Sequence, residues 1–387
     1  MNERSDIAMK ASMGRDIQTP ALLLDLVQFD RNARRLRSFI EESSRGLRLR
    51  PHMKTVKSVE LGRRLTGALG ASAITVSTLA EAETYADAGF RDILYAVGIA
   101  PAKLDRVAAL LRRGVDCQII TDNVDAARAI GEYSKANGVA LPVLIEVDCD
   151  GHRAGVKPED RDTLIAIASA LGSVRGVMTH GGGSYGSATS DQRETMAARE
   201  AESVRRAAAT LREAGYQVPV VSVGSTPTAL AHADRSGVTE MRAGVFPFFD
   251  LVMAGLGVCS YDDIALSVLT TVIGHQRDKG WILCDAGWMA LSRDRGTEGQ
   301  ALDCGYGLVC DSEGRILPDL LVSATNQEHG IISMREGSGA PLPDLPVGTQ
   351  LRILPNHACA TAAQHCGYHA IGEEGSAPAW IGRFSGW

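Results

Sequence analysis

Along roughly the first 245 residues, short runs rich in Val, Ile and Leu alternate with stretches carrying an apolar residue every third or fourth position. The runs cover 47–54, 73–77, 92–97, 115–121, 142–148, 174–180, 219–224 and 238–245. Helical periodicity occupies 79–88, 101–113, 124–137, 158–171 and 192–214 between them. Asp122 and Thr189 or Ser190 stand where N-caps belong, and Gly89, Gly138 and Gly215 where a C-cap glycine belongs. Eight strands alternating with helices read as parallel β/α units, and eight is the number that closes a barrel.

Beyond about Leu256 the texture changes. Runs at 264–274, 280–286, 305–310, 320–324, 330–334, 350–354 and 367–371 are broken by Gly, Pro and Asp, and no long helical stretch intervenes. That predicts a mainly antiparallel domain. The segment 337–348, with three glycines and three prolines, reads as a surface loop. The expected class is α/β: a (β/α)8 barrel over 20–255, and a second β domain formed by 1–19 and 256–387.

Composition narrows the function. At 387 residues the chain exceeds one typical core. A net charge of -6 without an arginine-rich block argues against nucleic acid as a partner. No run of eighteen apolar residues is present, so no membrane span is expected. The segment Met1–Asp6 lacks an apolar signal core, and a cytoplasmic location is the expectation. Eight scattered cysteines without a CxxC read as free thiols.

Catalytic groups in a β/α barrel sit at the C-terminal ends of strands. Here those ends carry Lys54, Ser77, the 148–153 segment with Arg153, His180, Gly224-Ser225-Thr226 and Arg242-Ala243-Gly244. A lysine becomes nucleophilic when burial or a cationic neighbour lowers its pKa, and His52, Arg50 and Lys57 are candidate neighbours. The Gly224-Ser225-Thr226 turn entering a helix offers backbone N–H groups and hydroxyls to a phosphate. Arg153 suits a phenolate oxygen, and His180 an aromatic ring. Far away in sequence, His357-Ala358-Cys359 places an imidazole and a thiol at a spacing suited to a soft divalent metal. Taken singly, each feature also has a structural reading: a strand-end lysine, an ordinary turn, a satisfied histidine. Their convergence on one mouth and one type of reaction favours the functional one.

The segment Arg50-Pro51-His52-Met53-Lys54-Thr55-Val56-Lys57 resembles the R-P-H-x-K-x-x-K signature of the D-serine dehydratase and D-threonine aldolase family. Further similarity lies at 76–83, 92–96, 223–227, Asp285-Ala286-Gly287-Trp288, Gln327-Glu328-His329-Gly330 and 355–361, so it spans nearly the whole chain. Within the family, the pattern is nearest to the D-threo-3-hydroxyaspartate dehydratase type. The resemblance implies fold-type III pyridoxal enzymes with an alanine-racemase-like barrel. It implies pyridoxal 5'-phosphate on Lys54, which also removes the α-proton. It places the phosphate at Thr226, Gly244 and Val245, Arg153 near the phenolic oxygen, and Tyr185 near the pyridine ring. One divalent metal (zinc, manganese or magnesium) would sit on His357 and Cys359. Arg242 matches a racemase arginine that faces the pyridine nitrogen, where relatives of the dehydratase and aldolase types show histidine or glutamine.

The expected reaction is loss of water from a small D-3-hydroxy amino acid, with 3-hydroxyaspartate preferred because Arg293 and Arg295 suit a second carboxylate. Gln327 and His329 are further substrate candidates. Retro-aldol cleavage uses the same groups and remains open, as do a racemase and a non-catalytic pyridoxal-phosphate-binding protein. The resemblance also implies a homodimer.

Overall fold

The computed structural model describes residues 17–44, 46–372 and 378–387. Residues 1–16, most of the 1–19 segment expected in the β domain, lie outside the described residues, as do 373–377. The chain divides into two compact units. One takes the chain up to Asn32 together with Pro247–Arg383, and the other Ala33–Phe246 with Phe384–Trp387.

The second of these holds eight parallel strands: Arg48–Leu49, Ala73–Val76, Asp92–Gly98, Asp116–Thr121, Val143–Val147, Gly176–Thr179, Val220–Val223 and Glu240–Met241. Each falls inside or beside an expected run. From Ala73 onward each pairs with the next, and the first pairs with the last. A parallel bridge between His52 and Thr75 joins the remaining edges. There Thr75 N donates to the Pro51 carbonyl at 2.9 Å and Met53 N to the Thr75 carbonyl at 2.8 Å. The sheet is thus a closed barrel, as the alternating pattern predicts.

Alternate residues on a strand share a face, and closure turns one face inward. That inner face is layered. Its middle is apolar: Leu94, Ile120, Leu144, Met178 and Val220 pack together across five successive strands. Below lies a buried charge network. Arg50, fully buried, reaches Asp92 and Glu240 at 2.7 Å each. Arg48 pairs with the same two carboxylates at 2.7 and 2.6 Å. Gln118 Nε2 donates to Asp92, and Ser222 Oγ to Glu240. The two short strands that meet here, Arg48–Leu49 and Glu240–Met241, both carry members of this network.

Local signals set the helices. Thr189 caps Ser190–Glu213 through a reciprocal box with Gln192. Gly138 ends Val124–Asn137 at φ +61°. The N-cap of that helix is Asn123, whose side chain accepts from Asp125 N and Ala126 N. Asp122, expected in the role, instead accepts from Gly155 N at 2.9 Å. Either adjacent side chain is chemically able to cap, and the distant amide decides between them.

In the other unit, Leu266–Gln276, Trp281–Cys284, Gly330–Met334, Ile316–Thr325, Gly307–Cys310 and Gln350–Pro355 pair antiparallel in a closed circuit. The eleven residues of Leu266–Gln276 are long enough to serve several neighbours. One of these is Ala21–Asp25, which lies within the 20–255 span given to the barrel but pairs here. Its run of four apolar residues is too short for periodicity to say which sheet it joins. Gly367–Ile371 and Ala379–Gly382 extend the same sheet. The 337–348 segment is a loop, as expected. No helix among the described residues is long and apolar enough to cross a membrane. None of the eight cysteines is in a disulfide, and five of them are buried.

Replacing Arg50 by Met leaves Arg48, partly exposed, as the remaining ion-pair partner of Glu240 and Asp92 among the described residues. Loss of a buried partner costs on the order of 3–5 kcal/mol. Denaturant unfolding of Arg50→Met should show a loss of that order. A change under about 1 kcal/mol would mean that Arg48 alone neutralises the network.

Candidate active site

Lys54 lies in the turn immediately after the His52–Thr75 bridge, with its side chain exposed. Its main-chain N–H donates to His52 Nδ1 at 3.3 Å, so the strand end is continued by a turn built on that imidazole. Three residues on, Lys57 takes φ +38°, and its carbonyl accepts from Phe384 N at 2.9 Å. The Phe384 ring meets Tyr85 edge-on at 5.3 Å, and Tyr85 Oη donates to the Ser58 carbonyl. Both sides of the lysine turn are therefore held. Of its expected cationic neighbours, Arg50 is committed to the barrel floor and Lys57 to Glu81 at 3.0 Å, which leaves His52. Burial, then the charges of Lys54, Arg242, His180 and Arg153, hold the His52 ring well below the usual imidazole range.

Around the mouth, Gly224 takes φ +139°, and a Cβ there would stand 1.9 Å from the Arg242 carbonyl oxygen. Only glycine allows that approach. Next to it, buried Ser225 accepts from Thr228 N and shares hydroxyl contacts with Ser184 and Thr228. The N–H groups of Gly244 and Val245 both point at Thr226 Oγ1, at 3.3 and 3.2 Å. Arg242 is buried and donates through Nε to Ser222 Oγ at 2.9 Å and through a terminal nitrogen to the Thr179 carbonyl.

His180 Nδ1 lies 3.1 Å from the Gly224 carbonyl, and its ring stands 6.4 Å from that of Tyr185. Burial pushes His180 down to about 4; the Gly224 carbonyl opposes this, and the Arg242, Lys54 and Arg153 charges add to it. His180 is therefore neutral at ordinary pH. Arg153 is exposed and reaches Glu146 at 3.6 Å, while burial raises Glu146 against that pull. Ser77 is engaged by Glu81, its hydroxyl donating at 2.7 Å, so it meets a ligand only as an acceptor.

In the β unit, His357 follows the strand Gln350–Pro355 and Cys359 lies in the short helix Ala358–Ala362. His357 Nδ1 stands 2.6 Å from Asp294 Oδ2. Burial alone would lower the imidazole pKa, but hydrogen bonds to Asp294 and Cys359, with the charges of Cys359 and Asp250, carry it up to about 11. Arg293 is exposed and lies over the Trp288 ring at 4.2 Å, whereas Arg295 pairs with Asp303 at 2.5 Å. Gln327 and His329 occupy the turn before Gly330–Met334, both exposed.

Two family models match this chain: the alanine racemase N-terminal domain over residues 24–251, and the putative serine dehydratase domain over 265–371. The D-threo-3-hydroxyaspartate dehydratase of Delftia sp. (strain HT23) is 51% identical over 96% of this chain and 98% of its own. A solved structure of that dehydratase, 49% identical, superposes with a TM-score of 0.92, covering 96% of this chain and 99% of the other. The D-serine dehydratase of Dictyostelium discoideum is 31% identical over 86% of this chain and 88% of its own. The chain belongs to the D-serine dehydratase and D-threonine aldolase family of fold-type III pyridoxal-phosphate enzymes.

The cofactor of such enzymes carries an anionic phosphate and a phenolate. The barrel mouth matches them with Lys54, Arg153 and Arg242, a glycine against which no side chain fits, and two amides gathered at Thr226. A metal finds a thiol and an imidazole whose Nδ1 is already engaged, leaving Nε2 as the donor. Among the described residues no group of three or more His, Cys, Asp or Glu surrounds one metal position. His357 and Cys359 would leave coordination sites for water and substrate.

Two residues of consequence escaped the sequence reading. Asp294 carries no local signal that it meets His357, sixty-three positions away. Glu200 sits mid-helix in Ser190–Glu213 and accepts from Gly181 N at 2.6 Å, directly after His180. Burial pushes Glu200 up to about 7, against the Thr228 hydroxyl and the Gly181 amide.

Because the folded pKa of Glu200 is raised, folding takes up a proton between the ordinary carboxyl value and about 7. Its contribution to stability is fully present below the ordinary value and is lost as pH rises through about 7. Glu200→Gln mimics the protonated form. Its melting temperature relative to wild type should therefore rise by several degrees between about pH 5 and pH 8, on the order of 2–3 kcal/mol. A pH-independent difference would show that Glu200 is ionised throughout.

Proposed function

We propose that this chain is a pyridoxal 5'-phosphate- and divalent-metal-dependent lyase that eliminates water from a D-3-hydroxy amino acid. D-threo-3-hydroxyaspartate is the preferred substrate, giving oxaloacetate and ammonia, ahead of D-serine and D-threonine. The observation that carries the reading is one chain holding both a cationic barrel mouth around Lys54 and the His357/Cys359 pair, at half identity to a dehydratase.

When bound, the cofactor supplies an electron sink for the α-carbon, and the metal a Lewis acid for the β-hydroxyl. Gly224, Ser225, Thr226, Gly244 and Val245 hold the phosphate, and Ser77 is a further cofactor-side residue. Arg153 donates to the phenolic oxygen. His180, kept neutral, lies against the ring without adding charge, and Tyr185 borders it. Arg242, fixed by Ser222 and Thr179, serves the ring-nitrogen side. Lys54 Nζ takes the α-proton as general base. His357 and Cys359 hold the metal; a thiolate with an imidazole favours zinc, and manganese or magnesium are the harder alternatives.

In the substrate's second carboxylate we see the role of Arg293, since Arg295 is already neutralised by Asp303 and Glu298. Gln327 and His329, exposed at their turn, are the remaining substrate-side candidates. The working form is a homodimer in which each active site is completed by the other chain, and no nucleic acid or membrane takes part. Sedimentation at assay concentration checks the dimer, and a fully active monomer would contradict it.

The enzyme, loaded with cofactor and metal, should release 2-oxo acid from D-threo-3-hydroxyaspartate with no glycine or aldehyde. Release of glycine would identify the aldolase reaction instead. Lys54→Ala should lose the visible absorbance that borohydride reduction abolishes in wild type, together with turnover. Chelation should remove activity and leave that absorbance in place. Arg293→Ala should lower the preference for the dicarboxylate over D-serine by about ten-fold or more, roughly 1–3 kcal/mol. Arg295→Ala should leave the preference unchanged. Unaltered selectivity in Arg293→Ala would make that arginine structural.

A further inference from the structure

We propose that Asp294 is a positioning residue for the metal centre: it fixes the tautomer and ring plane of His357 so that Nε2 presents its lone pair to the ion. The inference rests on the metal reading above.

The contact itself is short, 2.6 Å between His357 Nδ1 and Asp294 Oδ2. Its geometry is imposed from several sides. Ser292, at φ +72°, starts a turn in which its hydroxyl accepts from Asp294 N. The other carboxylate oxygen of Asp294 accepts from Gly296 N at 3.0 Å, which sets the side-chain rotation. One residue later the loop is tied to the residue before His357. Thr297 N donates to Asn356 Oδ1, and Asn356 Nδ2 returns to Thr297 Oγ1, both at 3.0 Å. Arg295 fastens the same loop to Asp303. Buried Asp250 in turn accepts from Ala358 N at 2.9 Å and so holds the backbone between the two metal-binding side chains. A loop clamped to Asn356 and carrying one carboxylate aimed at Nδ1 is built to orient that ring.

The chemistry follows from donors and acceptors. A carboxylate accepts only, so the proton of a neutral His357 stays on Nδ1 and Nε2 is free to ligate. Asparagine preserves the acceptor that Gly296 N uses, but its amide donates toward Nδ1. The proton then moves to Nε2, the wrong nitrogen for a metal.

The test is a double-mutant cycle in the cofactor-loaded protein, stripped of metal and titrated with Co2+ against a competing chelator. The thiolate-to-cobalt absorption reports occupancy without recourse to activity. Asp294→Asn should weaken Co2+ binding by about 10–100-fold, leaving the cofactor absorbance and melting temperature as in wild type. In a His357→Ala background the same substitution should change affinity by less than about two-fold, because its route of action is gone. Should Asp294→Asn melt early, Asp294→Ser, which retains an acceptor for the turn, carries the same comparison. Wild-type affinity in the single variants, or an equal loss with and without His357, overturns the positioning role. Failure of wild type to take up Co2+ at all overturns the metal reading instead, and this inference with it.

Discussion

The barrel mouth depends on a seam. Arg50 to Met53 is the stretch that joins the first strand of the closed sheet to Ala73–Val76, with backbone bonds on both flanks. Arg50 N and His52 N donate to the carbonyls of Met241 and Ala243, and Pro51 and Met53 bond to Thr75. The side chains along this stretch serve different layers. Arg50 neutralises the carboxylates of the floor, and the imidazole of His52 receives the amide of Lys54. A signature that looks catalytic in sequence is thus first a device for closure. The lysine is placed because the seam is made.

Electrostatics above the seam has one sense. Burial first, and then the charges of Lys54, Arg242 and Arg153, hold the imidazoles of His52 and His180 uncharged. Both rings are in this way flat neutral surfaces. The carboxylates nearby, Glu146 and Glu200, are pushed toward their neutral forms by burial.

Much of this was legible in the chain. Alternation gave the eight strands, and the caps at Thr189 and Gly138 gave helix ends, because these signals are local. The lysine segment, the glycine-serine-threonine turn and the His-x-Cys pair could be singled out as candidates because each is a contiguous pattern. Tertiary choices could not. Ala21–Asp25 is an apolar run that joins whichever sheet offers an edge, and Asp122 lost the capping role to its neighbour through an amide thirty-three positions away. The Ser292–Gly296 loop shows the limit most clearly. Its two arginines draw attention as a fork for a carboxylate, yet Arg295 spends its charge on Asp303, and the acid between them faces His357.

The return of Phe384 to Lys57 has a consequence for inheritance. The two family models divide the chain as though the barrel were finished before the serine dehydratase domain begins. Yet the carbonyl of Lys57, three positions from the Schiff-base candidate, is capped by an amide contributed from beyond that second domain. A recombination event cutting between the two matched regions would deliver a barrel whose lysine turn lacks its clamp on one side. The two halves are therefore poor modules: exchange with other partners would loosen the turn that carries Lys54, and selection should keep them travelling together.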